Sequence, residues 1–164
     1  MSMKVLIRGK NNSLNVLSPT CFTKENYGAN TNGNATLSVN TPIGVLGGSV
    51  AAVSAGYDYT SFPCDLTAQP IGLFMNDAAG SAYDNAPAVA SNKLTVMSGP
   101  AEVEVDVYET KSVAGTDITY AVGQKLYSSK DGLLTNEAST STVVIGIVTK
   151  RPTTGSPIMG LELV

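Results

Sequence analysis

Few side chains in this chain could take part in chemistry, and their spacing limits what they could do. Glu102, Glu104 and Asp106 recur at every second position, which in an extended strand sets three carboxylates on one face, where they could hold a cation. A solvated strand face that also protects a sheet edge needs the same row, and that plainer reading is preferred. Asn76-Asp77 and Asp84-Asn85 offer more oxygen ligands, but they lack the spacing of an EF-hand loop and suit turns better. Gly47-Gly48-Ser49-Val50-Ala51 falls one glycine short of a nucleophile elbow. The chain contains no His, which removes the commonest general base, nucleophile partner and metal ligand together. Cys21 and Cys64 are far apart and lack a CxxC spacing; they fit two reduced thiols, with a bridge between them left open. Neither a Walker A loop nor a dinucleotide fingerprint occurs. Aromatic residues make up 6% with no Trp, a poor supply of stacking platforms for sugars or bases. The reading is a protein that is not an enzyme, with no cofactor and no metal.

The 164 residues suffice for a sizeable core. Hydrophobic residues are 43% but charged ones only 14%, against about 25% in ordinary soluble domains. Ala, Ser, Thr, Asn and Gly make up the difference, a surface suited to permanent contact inside an assembly. A net charge of −3 gives no bulk attraction to nucleic acid or to an anionic membrane. Lys4, Arg8, Lys10 and Lys24 nevertheless all precede the first acid, Glu25, so the N-terminal stretch is locally basic, either as a solvated end or for docking on an acidic partner. Val5-Leu6-Ile7 is too short for the core of a signal peptide and no apolar run approaches a membrane span, so synthesis in a cytosol is expected.

Strands must position whatever function these residues have. Met3 to Ile7 reads as a first strand or extended arm, and Asn11 to Asn40 as turns and irregular backbone, dense in Asn, Gly and Thr. No charge occurs between Glu25 and Asp58, which suits a segment lying along another protein or a quiet loop region. Thr41 to Tyr59 reads as short strands broken by glycines, Ser61 to Pro70 as a loop, Ile71 to Met75 as a strand and Asp77 to Asn92 as a long loop. Lys93 to Tyr108 carries a period of two, with Leu94, Val96, Val103, Val105 and Val107 inward and the acidic row outward. Asp131-Gly132 predicts a hairpin with a type I′ turn. Val143 to Thr149 predicts a central buried strand in which Gly146 marks a bulge or a close approach of backbones. The Ile-Gly strands at Ile71-Gly72 and Ile145-Gly146 form a weak internal echo. The fold class is all-β: a small β-barrel or β-sandwich body over residues 41–164, with echoing units at 41–110 and 111–164, and an irregular Asn/Gly/Thr-rich arm over 1–40.

Pro70-Ile-Gly-Leu-Phe-Met-Asn-Asp-Ala-Ala-Gly, Asn85-Ala-Pro-Ala-Val-Ala-Ser, Val105-Asp-Val-Tyr-Glu-Thr, Gly132-Leu-Leu-Thr-Asn and Val144-Ile-Gly-Ile-Val-Thr-Lys-Arg-Pro with Leu161-Glu-Leu together resemble the head decoration, or cement, proteins of tailed bacteriophages. The similarity covers about the C-terminal two-thirds; the part through Ala55 does not match. The resemblance implies a β-rich structural virion protein, made in the host bacterial cytoplasm, that binds the outer surface of the expanded capsid and stabilises it by bridging capsomers. Its implied partners are the major capsid protein and neighbouring copies of itself, as a homo-oligomer with a trimer favoured. Capsid contact is expected from the arm at Lys4, Arg8, Lys10, Asn26, Tyr27 and Asn30, and removal of residues before Val16 is expected to leave a folded body that no longer binds. The competing expectation is an adhesion module of a virion whose Asn/Thr-rich loops bind a glycan.

Overall fold

The structure, a computed structural model, describes residues 3–7, 10–15, 22–23, 42–45, 47–53, 59–61, 66–75, 78–79 and 93–164. Among these there is no helix, as the glycine density and the period of two require. The largest sheet has six strands: β1 (Met3–Ile7), β10 (Ala101–Val105), β14 (Met159–Leu163), β13 (Gly146–Lys150), β11 (Lys125–Ser128) and β12 (Leu134–Thr135), in that order. A five-stranded sheet is ordered β2 (Lys10–Asn15), β9 (Lys93–Ser98), β7 (Gln69–Phe74), β5 (Val50–Val53) and β6 (Tyr59–Ser61). A smaller sheet joins β3 (Phe22–Thr23), β4 (Pro42–Val45) and β8 (Ala78–Ala79). All ladders between these strands are antiparallel.

The two large sheets are linked through the chain, since β9 of one leads directly into β10 of the other. β1 pairs β10 from Met3↔Val105 to Ile7↔Glu102, and β2 pairs β9 from Lys10↔Ser98 to Asn15↔Lys93. On the described side of this link, Gly99-Pro100 joins β9 to β10. The register also explains the alternation in β10: Val103 and Val105 are buried while Glu102 and Glu104 are half-exposed. The core draws on both sheets, with Val50, Leu73 and Met97 from one and Val103, Leu126 and Leu161 from the other in a single buried cluster.

The six-stranded sheet curls until it meets itself. Just beyond β10, Tyr108 forms a parallel bridge with Leu134 of β12, and the Glu109 amide donates to the Leu134 carbonyl at 2.9 Å. The strand that pairs β14 on one side therefore reaches β12 on the other, closing a ring through β14, β13 and β11. The contact covers the β12 edge at Leu134, where open backbone groups could otherwise template aggregation.

Several expectations are refined by tertiary pairing. The hairpin at Asp131-Gly132 exists, but its turn is not type I′: the Gly132 amide bonds the Ser129 carbonyl at 3.0 Å and the Ser129 amide bonds the Leu133 carbonyl at 2.9 Å. Lys130 and Asp131 are thus the central pair, and Gly132, with φ 73°, takes the left-handed position after them, the three-residue alternative. Lys10–Asn15 is a strand despite its asparagines, because the β9 ladder overrides local preference. The acidic row is not on an edge, since β10 lies between β1 and β14. Ser61 and Gln69-Pro70, at the two ends of the expected 61–70 loop, lie in strands, and Ala78–Ala79 is a strand within the expected 77–92 loop. Of the segment assigned to the arm, β1 and β2 are sheet strands, so removing residues before Val16 would strip a strand from each large sheet. Across the proposed echo, β7 and β13 occupy different sheets. The 41–110 and 111–164 division is crossed by β10, which pairs β14.

The two echoing glycines are nevertheless alike in their surroundings. A Cβ on Gly72 would lie 2.1 Å from the Met97 carbonyl oxygen, and one on Gly146 would lie 2.7 Å from that of Glu162. Gly72→Ala is expected to destabilise the fold by about 1–3 kcal/mol or more, because only backbone can yield. Gly155→Ala, where nothing lies within 4 Å, is expected to be close to neutral; urea midpoints of the two variants check the contrast.

Candidate functional site

Tyr108 and Glu109 continue β10, and the alternation that buries Val103, Val105 and Val107 carries on to Glu109. Glu109 is only 4% exposed. Its carboxyl is hydrogen-bonded by the side chains of Ser129 and Thr135, from the opposite side of the closure. Ser129 Oγ in turn accepts the amides of Asp131 and Leu133, each at 3.2 Å, and Thr135 Oγ1 accepts that of Glu137 at 3.2 Å. Burial holds the Glu109 carboxyl above its ordinary range, against the two hydroxyl hydrogen bonds, and the nearby charges of Asp131 and Glu137 push the same way.

Tyr120 spans the same seam. Its hydroxyl donates to the Glu109 carbonyl at 2.7 Å and lies 3.3 Å from that of Leu134. Its ring meets Tyr108 edge to face, with centroids 5.5 Å apart, a favoured aromatic geometry. Burial, then the neighbouring Glu109, raises the Tyr120 hydroxyl far above the phenol range, so it stays a donor.

Over the tyrosines opens a groove of about 430 Å³. One wall is Thr110 with Asp117, Ile118 and Thr119; the other is Pro152, Thr153, Thr154 and Pro157. Both walls are braced. In the first, the Ser112 amide bonds the Thr116 carbonyl at 2.8 Å, the Ile118 amide bonds that of Thr110 at 3.0 Å, and Lys111 pairs with Asp117. In the second, Thr153 and Ser156 exchange backbone bonds of 2.9 and 3.1 Å. The Tyr108 hydroxyl ties the walls by donating to the Pro157 carbonyl at 3.2 Å.

Beside the groove, hydrogen bonds gather three loops. The Val113 amide donates to Glu137 at 3.3 Å, Asn136 Nδ2 donates to the Thr119 carbonyl at 3.0 Å and to Gln124 Oε1 at 3.2 Å, and the Ala121 amide reaches Gln124 Oε1 at 2.8 Å. The cluster carries bare apolar tips: Val113 is 70% exposed and Val122 64%, Ala114 and Ala121 are exposed beside them in sequence, and Ala138 is exposed next to Glu137.

Of the six residues expected to contact a partner, the described structure places the backbone of two. Lys4 sits in β1 opposite Glu104, and Lys10 in β2 opposite Ser98; Arg8, Asn26, Tyr27 and Asn30 lie outside the described residues. So do Asn76-Asp77, Asp84-Asn85, Cys21 and Cys64. In the acidic row Glu104 pairs with Lys150 at 2.9 Å, and no group of three or more His, Cys, Asp or Glu among the described residues is placed to hold a metal. Ser49 is fully buried. The sequence reading passed over Glu109 and Tyr120. Extending the inward register of β10 by one step would have flagged Glu109 as an acid on a core-facing position; nothing in the spacing pointed to Tyr120.

Compared with known proteins, the chain matches no family model, and no curated protein matches it.

The seam makes a pH-dependent prediction. A carboxyl held above its usual value of 4.5 contributes stability that is fully present below the unfolded pKa and is lost as pH rises through the folded one. The melting temperature of the wild type relative to Glu109→Gln should therefore fall as pH is raised from about 4 to about 8. A difference that is flat with pH would show that the Glu109 carboxyl is not held away from water. Tyr120→Phe, which removes the hydroxyl from both carbonyls, should cost about 1–2 kcal/mol at every pH below the phenol range.

Proposed function

We propose that this chain is a structural virion protein that seats on the outer surface of a bacteriophage capsid and stabilises the expanded head by bridging capsomers. The observation that carries the reading is the loop cluster around Val113 and Val122, where apolar tips stand out on a hydrogen-bonded base. Charge near it is spent internally, in the Lys111–Asp117 pair and the Glu137 contact to Val113. A surface of this kind docks by shape, with little charge to desolvate, and its preset loops lose little entropy on docking. The short sequence motifs resembling decoration proteins point the same way, as does a chain without His and with 14% charged residues. The role is non-catalytic, the partners are the major capsid protein and neighbouring copies of the same chain, and repetition over a lattice turns modest contacts into avidity.

With β1 and β2 built into the sheets, deleting the N-terminal residues is a poor test, and substitutions at the loop tips replace it. Co-sedimentation with expanded heads, assembled from the major capsid protein encoded nearest to this gene, should show binding by the wild type and strong loss in Val113→Glu combined with Val122→Glu. Both side chains are exposed, so the variant should melt with the wild type. A wild type that stays in the supernatant would refute the capsid role. Full binding by the double variant would refute only the choice of surface.

A further inference from the structure

Capsid docking through the loop tips leaves the groove between the 117–120 segment and the 152–157 turn without a role, since neither Val113 nor Val122 lines it. We infer that this groove is a binding site for a neutral saccharide.

Its form is set before any ligand arrives. The Ser112–Thr116 and Thr110–Ile118 bonds fix one wall, the Thr153–Ser156 pair fixes the other, and the Tyr108 hydroxyl holds them together through the Pro157 carbonyl. Pre-ordered walls spare a weakly binding ligand the entropic cost of shaping its site. The volume, about 430 Å³, is within the usual range for small-molecule sites of about 300–1,000 Å³.

The lining has the chemistry of a sugar's complement. Hydroxyls of Thr110, Thr119, Thr153 and Thr154 are set among the apolar surfaces of Ile118, Pro152 and Pro157. A sugar offers the same mixture, with C–H faces between hydroxyls that donate and accept, and a threonine hydroxyl does both. Thr153 Oγ1 already accepts the Ser156 amide at 3.1 Å, which leaves its proton to donate to a ligand. Asp117 is held through Oδ1 by Lys111, so Oδ2 can accept a sugar hydroxyl in the stronger, charge-assisted manner.

Charge and aromatic burial narrow the ligand further. No basic residue is among those lining the groove, and nearby Lys111 is committed to Asp117, so a phosphate or a carboxylate would meet no cation in the lining. A proline-rich peptide needs exposed aromatic ridges, whereas Tyr108 and Tyr120 are 5% and 4% exposed.

The test is an amide NMR titration of the isotope-labelled full chain with a panel of neutral oligosaccharides, with a sialylated oligosaccharide and a polyproline peptide as comparators. Saturable shifts confined to Thr110, Asp117 to Tyr120, Thr153 and Thr154 are expected with at least one neutral saccharide. Asp117→Asn and Thr153→Val should each weaken that binding about tenfold, the loss of one good hydrogen bond, with the rest of the spectrum unchanged. The inference falls if no neutral saccharide gives saturable shifts, if the shifts scatter over the surface, or if only the anionic sugar or the peptide moves the groove. It also falls if both variants bind as tightly as the wild type. Because the titration uses the isolated chain and residues apart from Val113 and Val122, its outcome is separate from that of capsid docking.

Discussion

The meeting of Tyr108 and Glu109 with Leu134 is the constraint on which the rest of the described fold depends. A curled sheet left open would leave the carbonyls and amides of β12 and of the segment after β10 without strand partners, and each one that stayed buried would cost about 1–3 kcal/mol. Here the backbone closes on itself through the Glu109 amide, and two side chains lock the join from inside: Tyr120 by its hydroxyl and Glu109 by its carboxyl. The lock is built from polar groups in a core position, so it specifies one register where an apolar contact would tolerate slippage. The cost is an acid kept from water, visible in the upward shift of its pKa.

Closure also decides what lies outside it. The segment leaving the seam runs through the Lys111–Asp117 turn and returns to deliver Tyr120 to the seam, and the same detour forms one groove wall and two of the three clustered loops. Fixing both ends of the detour at one join keeps it short and braced. Loops held this way can present small apolar tips such as Val113 and Val122 without collapsing onto the barrel, a property useful to a surface that must fit another surface.

The junction between the two large sheets supplies the second mechanical element. Because β9 runs into β10 through Gly99-Pro100, with β2 paired to the first and β1 to the second, the five-stranded sheet is tied to the six-stranded one at that junction. The core cluster that spans them follows from that coupling, with Leu73 and Met97 packing in the same cluster as Val103 and Leu161. A protein proposed to brace a shell gains from such coupling, since load applied at one sheet is shared by the other.

Much of the sheet content was legible in the sequence. The period of two around Val103, Val105 and Val107 and the Asp131-Gly132 hairpin are local facts of chain geometry, and local facts survive folding. What the sequence could not state is which strands become neighbours: that polar Lys10–Asn15 would pair β9, that the acidic row would lie on an interior strand, or that Tyr120 would reach back to Glu109. Those depend on contacts between residues distant in the chain, whose energies exceed local preference yet leave no periodic trace in it. By itself, then, the sequence determined an all-strand chain sparing in charge and without imidazole; only the tertiary structure decided that it closes, where the closing residues meet, and which loops and groove the closure leaves facing solvent.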